Sequence, residues 1–391
     1  MSEGRLFDRR GFLGGGCALC GLLAAGCQTT TAAGPARLNP GERPAAASDE
    51  ASLWSAMERA ERDIRTSAHI VRTPEVMEYL TGIMTQLAGP FARDVRLYVV
   101  RVPEFNATMA PNGMMQIWTG LLLRCSNEAQ LAAVIGHELA HYTQRHAIER
   151  LRAFRSGTDI AAFLGLGLAV AVGGLGMLAT QLATVGGLMA YTRDQEREAD
   201  AVGIELAAAA GYDPGQGGAL WERLLGEVAR DERGDRGRGG FFASHPAIEE
   251  RMEVIRRDTA GRTGETHAER FRSRLGGLQL ALVEEELRQR RYARSEWLFD
   301  HLHKDGANPG LMLHALGEVN RLRDAAGDGE RAAGFYTAAV AATGAPPEAW
   351  RGLGLVERRR GRADAASAAF TRYLALKPTA ADAAMIRSYL S

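Results

Sequence analysis

The sequence predicts an α-rich α+β domain built around one small sheet, followed by an all-α repeat tail. Three observations carry that expectation. Helical patterning covers 50–70, 74–88 and 193–210, whereas β-branched alternation is confined to "DVRLYVVRV" (94–102) and a stretch within 106–120. The tail repeats itself: Trp350, Leu353, Gly354, Gly361, Ala366, Phe370, Tyr373 and Pro378 follow tetratricopeptide spacing, and Gly327, Ala332 and Tyr336 match 34 residues earlier. A looser copy runs from Tyr292 to Pro309 around Phe299. With 391 residues, 46% hydrophobic and 24% charged, the chain has room for two or three domains. Lys plus Arg equals Asp plus Glu at 47 each, so no basic field exists to hold nucleic acid.

The elements follow in order. Residues 1–26 have the layout of an export signal: Arg9-Arg10 at the start, an uncharged run from Gly11 to Gly26, then Cys27. "LLAAGC" resembles a lipoprotein box with Cys27 as the acylated residue, and Arg9-Arg10-Gly11-Phe12-Leu13 resembles a twin-arginine signal. Cys17 and Cys20 fall in the removed segment, which leaves Cys125 alone and no internal disulfide. Residues 27–49, rich in Thr, Ala, Pro and Gly, read as a flexible tether. A domain over 50–258 follows. Pro74 suits a first helical position; Pro111-Asn112-Gly113 reads as a turn into a strand; Asn127 can cap the next helix, with Gln130 reaching back. Ile160–Thr192 carries no charge and reads as a buried or interface-lying helical hairpin rather than a membrane span. Gly211 caps the helix over 193–210, 229–240 is a charged loop, 259–277 a linker and 278–391 the repeat domain.

The chemistry concentrates in "VIGHELAHYTQRH" (134–146). Histidine is scarce, with nine in the chain, yet His137 and His141 stand four apart. On a helix they share a face and can aim two imidazoles at one point, as zinc requires. Glu138 is then placed to take a proton from a water activated by the metal. This is the HExxH arrangement of zinc peptidases. His146 falls off the shared face and reads as solvated. A third ligand is needed, and "YTRDQEREADAVG" (191–203) offers Glu196 and Asp200, also four apart. One can bind the metal while the other holds a histidine ring; the competing reading is a solvated charged face.

"GHELAHYTQRH" followed by "YTRDQEREADAVG" resembles the family of integral and periplasmic zinc peptidases that includes HtpX and the CAAX-processing proteases. The resemblance covers about 70–260, and the repeat tail narrows it to the BepA-like periplasmic branch. It implies an HExxH gluzincin-type zinc peptidase domain with one Zn2+ on His137, His141 and Glu196, Glu138 as general base and Asp200 as the second acidic residue. It further implies that the His-Pro turn at His245-Pro246 lies over the metal, with His245 able to fill a fourth position. Arg251 would then stabilise the oxyanion. The alternative for His245 is a helix-capping surface residue.

This resemblance points to an endopeptidase of the bacterial envelope acting on misfolded or stalled envelope proteins. Substrate would pair as an extra strand along the edge near 113–118, and the repeats would bind clients or outer-membrane assembly machinery. The resemblance to enterobacterial lipoproteins implies that the lipid on Cys27, followed by Gln28 rather than an aspartate, would anchor the chain to the outer membrane facing the periplasm. Two other readings stand beside it: a repeat-based chaperone or adaptor with little proteolysis, and a membrane-embedded prenyl-type protease.

Overall fold

A computed structural model describes residues 37–46, 48–153, 191–230, 241–245 and 248–390. The export signal, Cys27, nearly all of the uncharged 160–192 run and most of the 229–240 loop lie outside the described residues. Helix α1 (Asp49–Thr66) starts where the Ser48 hydroxyl accepts from the Ala51 N–H, and α2 (Pro74–Ala88) starts at its proline. The sheet has three strands: β1 (Arg96–Val100), β2 (Ala107–Met109) and β3 (Met114–Trp118), in the order β1-β3-β2. β1 runs parallel to β3, and β2 antiparallel to it, with Thr108 opposite Gln116. Gly113 turns the chain between β2 and β3 at φ 88°, where a Cβ would meet the Asp94 carbonyl at 2.0 Å.

This order corrects one expectation. The 113–118 segment is the central strand, paired on both sides, so it offers no edge. The outer side of β1 is already occupied by residues 69–71, through Val71 N–H to the Val99 carbonyl and Arg101 N–H to the His69 carbonyl. Among the described residues, the remaining edge is β2.

After the short α3 (Thr119–Arg124) comes α4 (Glu128–Thr143), which carries the histidines. Asn127 caps it by accepting from the Gln130 N–H at 3.0 Å, while the Gln130 side chain reaches Ser126 rather than Asn127. All of α4 except Ala133 and Thr143 is buried, the signature of a helix in the middle of a domain. The chain turns through Arg145 into α5 (His146–Ala153). Thr192 and Gln195 then form a reciprocal capping box at the start of α6 (Arg193–Ala209). Helices α4 and α6 approach so closely that a Cβ on Gly203 would sit 2.9 Å from the His137 backbone nitrogen. Helix α7 (Gln216–Val228), the single turn α8 (Phe241–Ser244) and α9 (Ile248–Thr259) pack over this pair.

Two segments are more ordered than their composition implied. Part of the expected tether is fixed to the α4–α5 turn: Leu38 is buried and its N–H donates to the Thr143 carbonyl at 3.0 Å, and Glu42 pairs with Arg145 at 2.7 Å. The second half of the expected linker is the start of α10 (Ala268–Leu287), with Phe271 and Leu275 in the core. Apolar side chains spaced along one helical face anchor it where local composition gave no sign.

From there the chain is a run of paired helices: α11 (Tyr292–Lys304), α12 (Pro309–Arg323), α13 (Asp328–Ala341), α14 (Glu348–Arg359), α15 (Ala363–Leu376) and the short α16 (Ala383–Arg387). Glycines make sockets for aromatic rings. A Cβ on Gly317 or Gly352 would come within 2.7 or 2.4 Å of Tyr336, and one on Gly354 within 2.5 Å of Phe370. Gly327 and Gly361, 34 positions apart, both hold left-handed turns at φ 80° and 75°. A buried ion network locks this run to the first domain: Arg124 of α3 pairs with Glu227 of α7 at 2.6 Å and Glu286 of α10 at 2.9 Å, and Arg294 of α11 reaches Glu227 at 2.6 Å. Among the described residues, no helix is long and apolar enough to cross a membrane.

Candidate metal centre

The i, i+4 spacing on α4 does what helix geometry dictates: His137 Nε2 and His141 Nε2 lie 3.1 Å apart, both rings buried. The close approach at Gly136 and Gly203 brings the first turn of α6 over them. Glu196, fully buried, sets Oε1 at 3.5 Å from His141 Nε2 and Oε2 at 3.7 Å from His137 Nε2. His245, just beyond α8, adds a third imidazole: its Nδ1 is 3.3 Å from His137 Nε2 and 2.9 Å from Glu196 Oε1. The four donor atoms all lie within 4.8 Å of one another. His245 is therefore no surface cap; it is only 2% exposed.

Aromatic rings hold these ligands. Tyr191 stacks on His141 with centroids 3.8 Å apart, and Phe241 stacks on His245 at 4.2 Å, backed by Trp221 at 4.9 Å. The Tyr191 N–H donates to the Ser244 carbonyl at 3.0 Å, tying the start of α6 to the turn that presents His245.

Carboxylates do the orienting. Asp200, one turn beyond Glu196, sets Oδ1 at 3.0 Å from His137 Nδ1. Arg251 grips Asp200 through two bonds of 2.7 Å and also pairs with Glu196. The Arg251 side chain is 3% exposed and its guanidinium is ion-paired with two carboxylates. One expectation is corrected at His146. Far from solvated, it is buried with Nδ1 2.8 Å from His141 Nδ1.

The electrostatics agree with a metal-binding role. Burial lowers the pKa of His137 and drives that of His141 well below the ordinary value, so both rings present neutral lone pairs, as ligands must. Burial works against the Glu196 charge, but His245, His141 and Arg251 outweigh it and hold the carboxyl below its usual range. Burial pushes Glu138 up to about 7, opposed chiefly by His245. Glu138 Oε1 makes no hydrogen bond although it is buried, and His245 Nε2 is 3.5 Å from it. Burial lowers the His245 pKa, but Glu196 and Glu138 outweigh it and raise it, so this ring must give up a proton to bind a metal. Three imidazoles and one carboxylate converging on a point form the nitrogen and oxygen donor set that suits zinc, so the residues present fit that ion.

The comparison with family models falls on the same region. The model of Peptidase family M48 matches residues 71–259. The chain is 36% identical over 160 residues to the mitochondrial metalloendopeptidase OMA1 of Schizosaccharomyces pombe, covering 41% of this chain and 45% of that protein. It is 34% identical over 201 residues to a putative beta-barrel assembly-enhancing protease of Vibrio cholerae, covering 49% and 40%. It is 28% identical over 204 residues to the beta-barrel assembly-enhancing protease of Escherichia coli, covering 50% and 41%. The matches thus span less than half the length of these curated relatives. The buried His-His-Glu-His group lies inside the segment that resembles Peptidase family M48.

Proposed function

We propose that the chain is a zinc-dependent endopeptidase of the bacterial envelope, acting on misfolded or stalled envelope proteins. The observation that carries this reading is the buried convergence of His137, His141, Glu196 and His245 beside Glu138, whose Oε1 makes no hydrogen bond. His137, His141 and Glu196 would hold zinc, which when bound supplies a Lewis acid that lowers the pKa of water. Glu138, as carboxylate, takes the proton and returns it to the leaving amine. Asp200 holds His137 in the tautomer that leaves Nε2 bare, and Arg251 fixes Asp200. A structural metal has no use for a buried Glu138 carboxyl whose Oε1 makes no hydrogen bond, which weighs against an adaptor role.

The edge strand supports a backbone-read substrate. The Met109 backbone helps lower the Glu138 pKa, which places β2 beside the base, so a peptide paired to β2 would run near it. Backbone pairing suits unfolded clients, because it reads no side-chain code. Envelope location and lipid anchoring rest on the N-terminal segment with Cys27 and Gln28. The client class draws on the bacterial relatives, whose names describe proteases that enhance β-barrel assembly. In this reading the paired helices of the tail are tetratricopeptide-like repeats that receive clients or assembly machinery.

His245 makes the described conformation a resting one, because a fourth protein ligand takes the position that water needs. His245→Ala should raise basal cleavage of a loose substrate and self-cleavage, with zinc still bound by three ligands; unchanged basal rates would remove the switch from this account. The proposed activity itself is tested by incubating unfolded casein with wild type and Glu138→Gln. Cleavage should be lost in the variant while zinc is retained, and equal cleavage would refute the assignment.

A further inference from the structure

His146 has a partner that its sequence position did not announce, and the chain builds a strained turn to supply it. Arg145 sits at φ 61°, in the left-handed region that costs a non-glycine residue about 1–2 kcal/mol. The conformation is held from outside: Arg145 pairs with Glu42 and Glu50, and the Leu38 N–H binds the Thr143 carbonyl. The result is that α5 begins by folding His146 back beneath His141.

With a metal ion on His141 Nε2, the hydrogen-bond geometry allows one assignment of protons. His141 points Nε2 into the donor group, so that nitrogen must be bare and its proton must sit on Nδ1. His141 Nδ1 lies 2.8 Å from His146 Nδ1, which must therefore accept. The proton of His146 is left on Nε2, the nitrogen that faces Glu198 Oε2 at 3.5 Å. His137 is oriented by a carboxylate, whereas His141 is oriented by an uncharged ring.

We infer that His146 is a positioning residue for the metal centre: its Nδ1 accepts the Nδ1–H of His141 and thereby fixes the His141 lone pair toward the ion. This rests on the zinc-site reading above. It adds a supporting residue and a polar line, His141–His146–Glu198, that leads from the centre to a half-exposed carboxylate.

The test measures zinc affinity on the full chain by competition with a chromophoric chelator, for wild type, His146→Leu and His146→Asn. Leucine keeps the bulk and removes the acceptor; asparagine restores an acceptor oxygen near the Nδ1 position. His146→Leu should bind zinc about 10–100-fold more weakly, the usual effect of losing a ligand's supporting bond, and His146→Asn should recover most of that loss. A packing role predicts the reverse order, with leucine the better substitute. Wild-type affinity in His146→Leu, or equal losses in both variants, would overturn the inference. Nitrogen-15 spectra of zinc-loaded wild type give a check free of any variant's folding: His146 should carry its proton on Nε2, and a proton on Nδ1 would contradict the assignment. A wild-type chain that binds no zinc fails the metal-site reading itself, whereas tight wild-type binding that His146→Leu leaves intact fails only this inference.

Discussion

The α4–α6 pair and the paired helices of the tail both rely on glycine, for opposite purposes. At Gly136 and Gly203 the missing side chains let two backbones touch, and that approach puts the histidines of one helix against Glu196 and Asp200 of the other. At Gly317, Gly352 and Gly354 the missing side chains make sockets for Tyr336 and Phe370. In the first case the neighbour is backbone, which cannot yield without moving a helix. In the second it is a ring at the end of a rotatable bond. A site whose atoms must meet within a few tenths of an ångström tolerates no adjustment, whereas a stack of helix pairs needs only filled volume.

Polar burial differs in the same way. The centre concentrates three histidines, three carboxylates and an arginine around one point. In the tail, buried polar groups pair locally, as Glu318 does with Arg321 and with the Tyr336 hydroxyl at 2.7 Å. Local pairs stabilise a repeat; convergent ones prepare a reaction.

The largest expected effect comes from Glu196→Ala, which removes the donor shared between both histidines and His245. Zinc affinity should fall by more than about 100-fold, beyond the range seen for supporting residues, while unfolding of the tail is unaffected. Retention of stoichiometric zinc would remove Glu196 from the ligand set. Next come paired glycine substitutions. Gly203→Ala forces α6 from α4 and should weaken zinc binding at least about tenfold with a stability loss of about 1–3 kcal/mol, whereas Gly354→Ala should lose comparable stability with zinc unchanged. Equal zinc loss in both would erase the distinction drawn above.

The smallest effect lies in the tail. Burial lowers the pKa of His314 to about 4, among Glu318, Arg351, Glu348 and Arg321. The folded state therefore binds fewer protons than the unfolded state between pH about 6.5 and about 4, so stability falls as pH is lowered through that window. His314→Gln should flatten this part of the stability profile measured by denaturant unfolding; an unchanged slope would assign the acid sensitivity elsewhere.

Much of the centre was legible because helices write their faces into spacing. His137 with His141, and Glu196 with Asp200, each stand four apart, and Thr192 opens the second helix one turn before Glu196. The tail was legible because its small and aromatic positions recur every 34 residues. What spacing could not show depends on how separate elements meet. His146 approaches His141 through a left-handed Arg145, a conformation that helical periodicity does not encode. Arg251 turned to Asp200 because a buried carboxylate on another helix needed a partner, and the order of three short strands is decided by pairings far apart in sequence. The order in 37–46 follows from single anchors, Leu38 and Glu42, in an otherwise tether-like composition.

The central claim is that one buried point, shared by two helices and the turn after α8, is a zinc centre with Glu138 beside it. Anomalous diffraction at the zinc edge, on crystals of the full chain grown with zinc, tests it most directly. A single peak bounded by His137 Nε2, His141 Nε2, Glu196 and His245, with Glu138 outside bonding distance, is the predicted result. No peak there, or a peak held by Glu138 or His146 instead, would contradict the account.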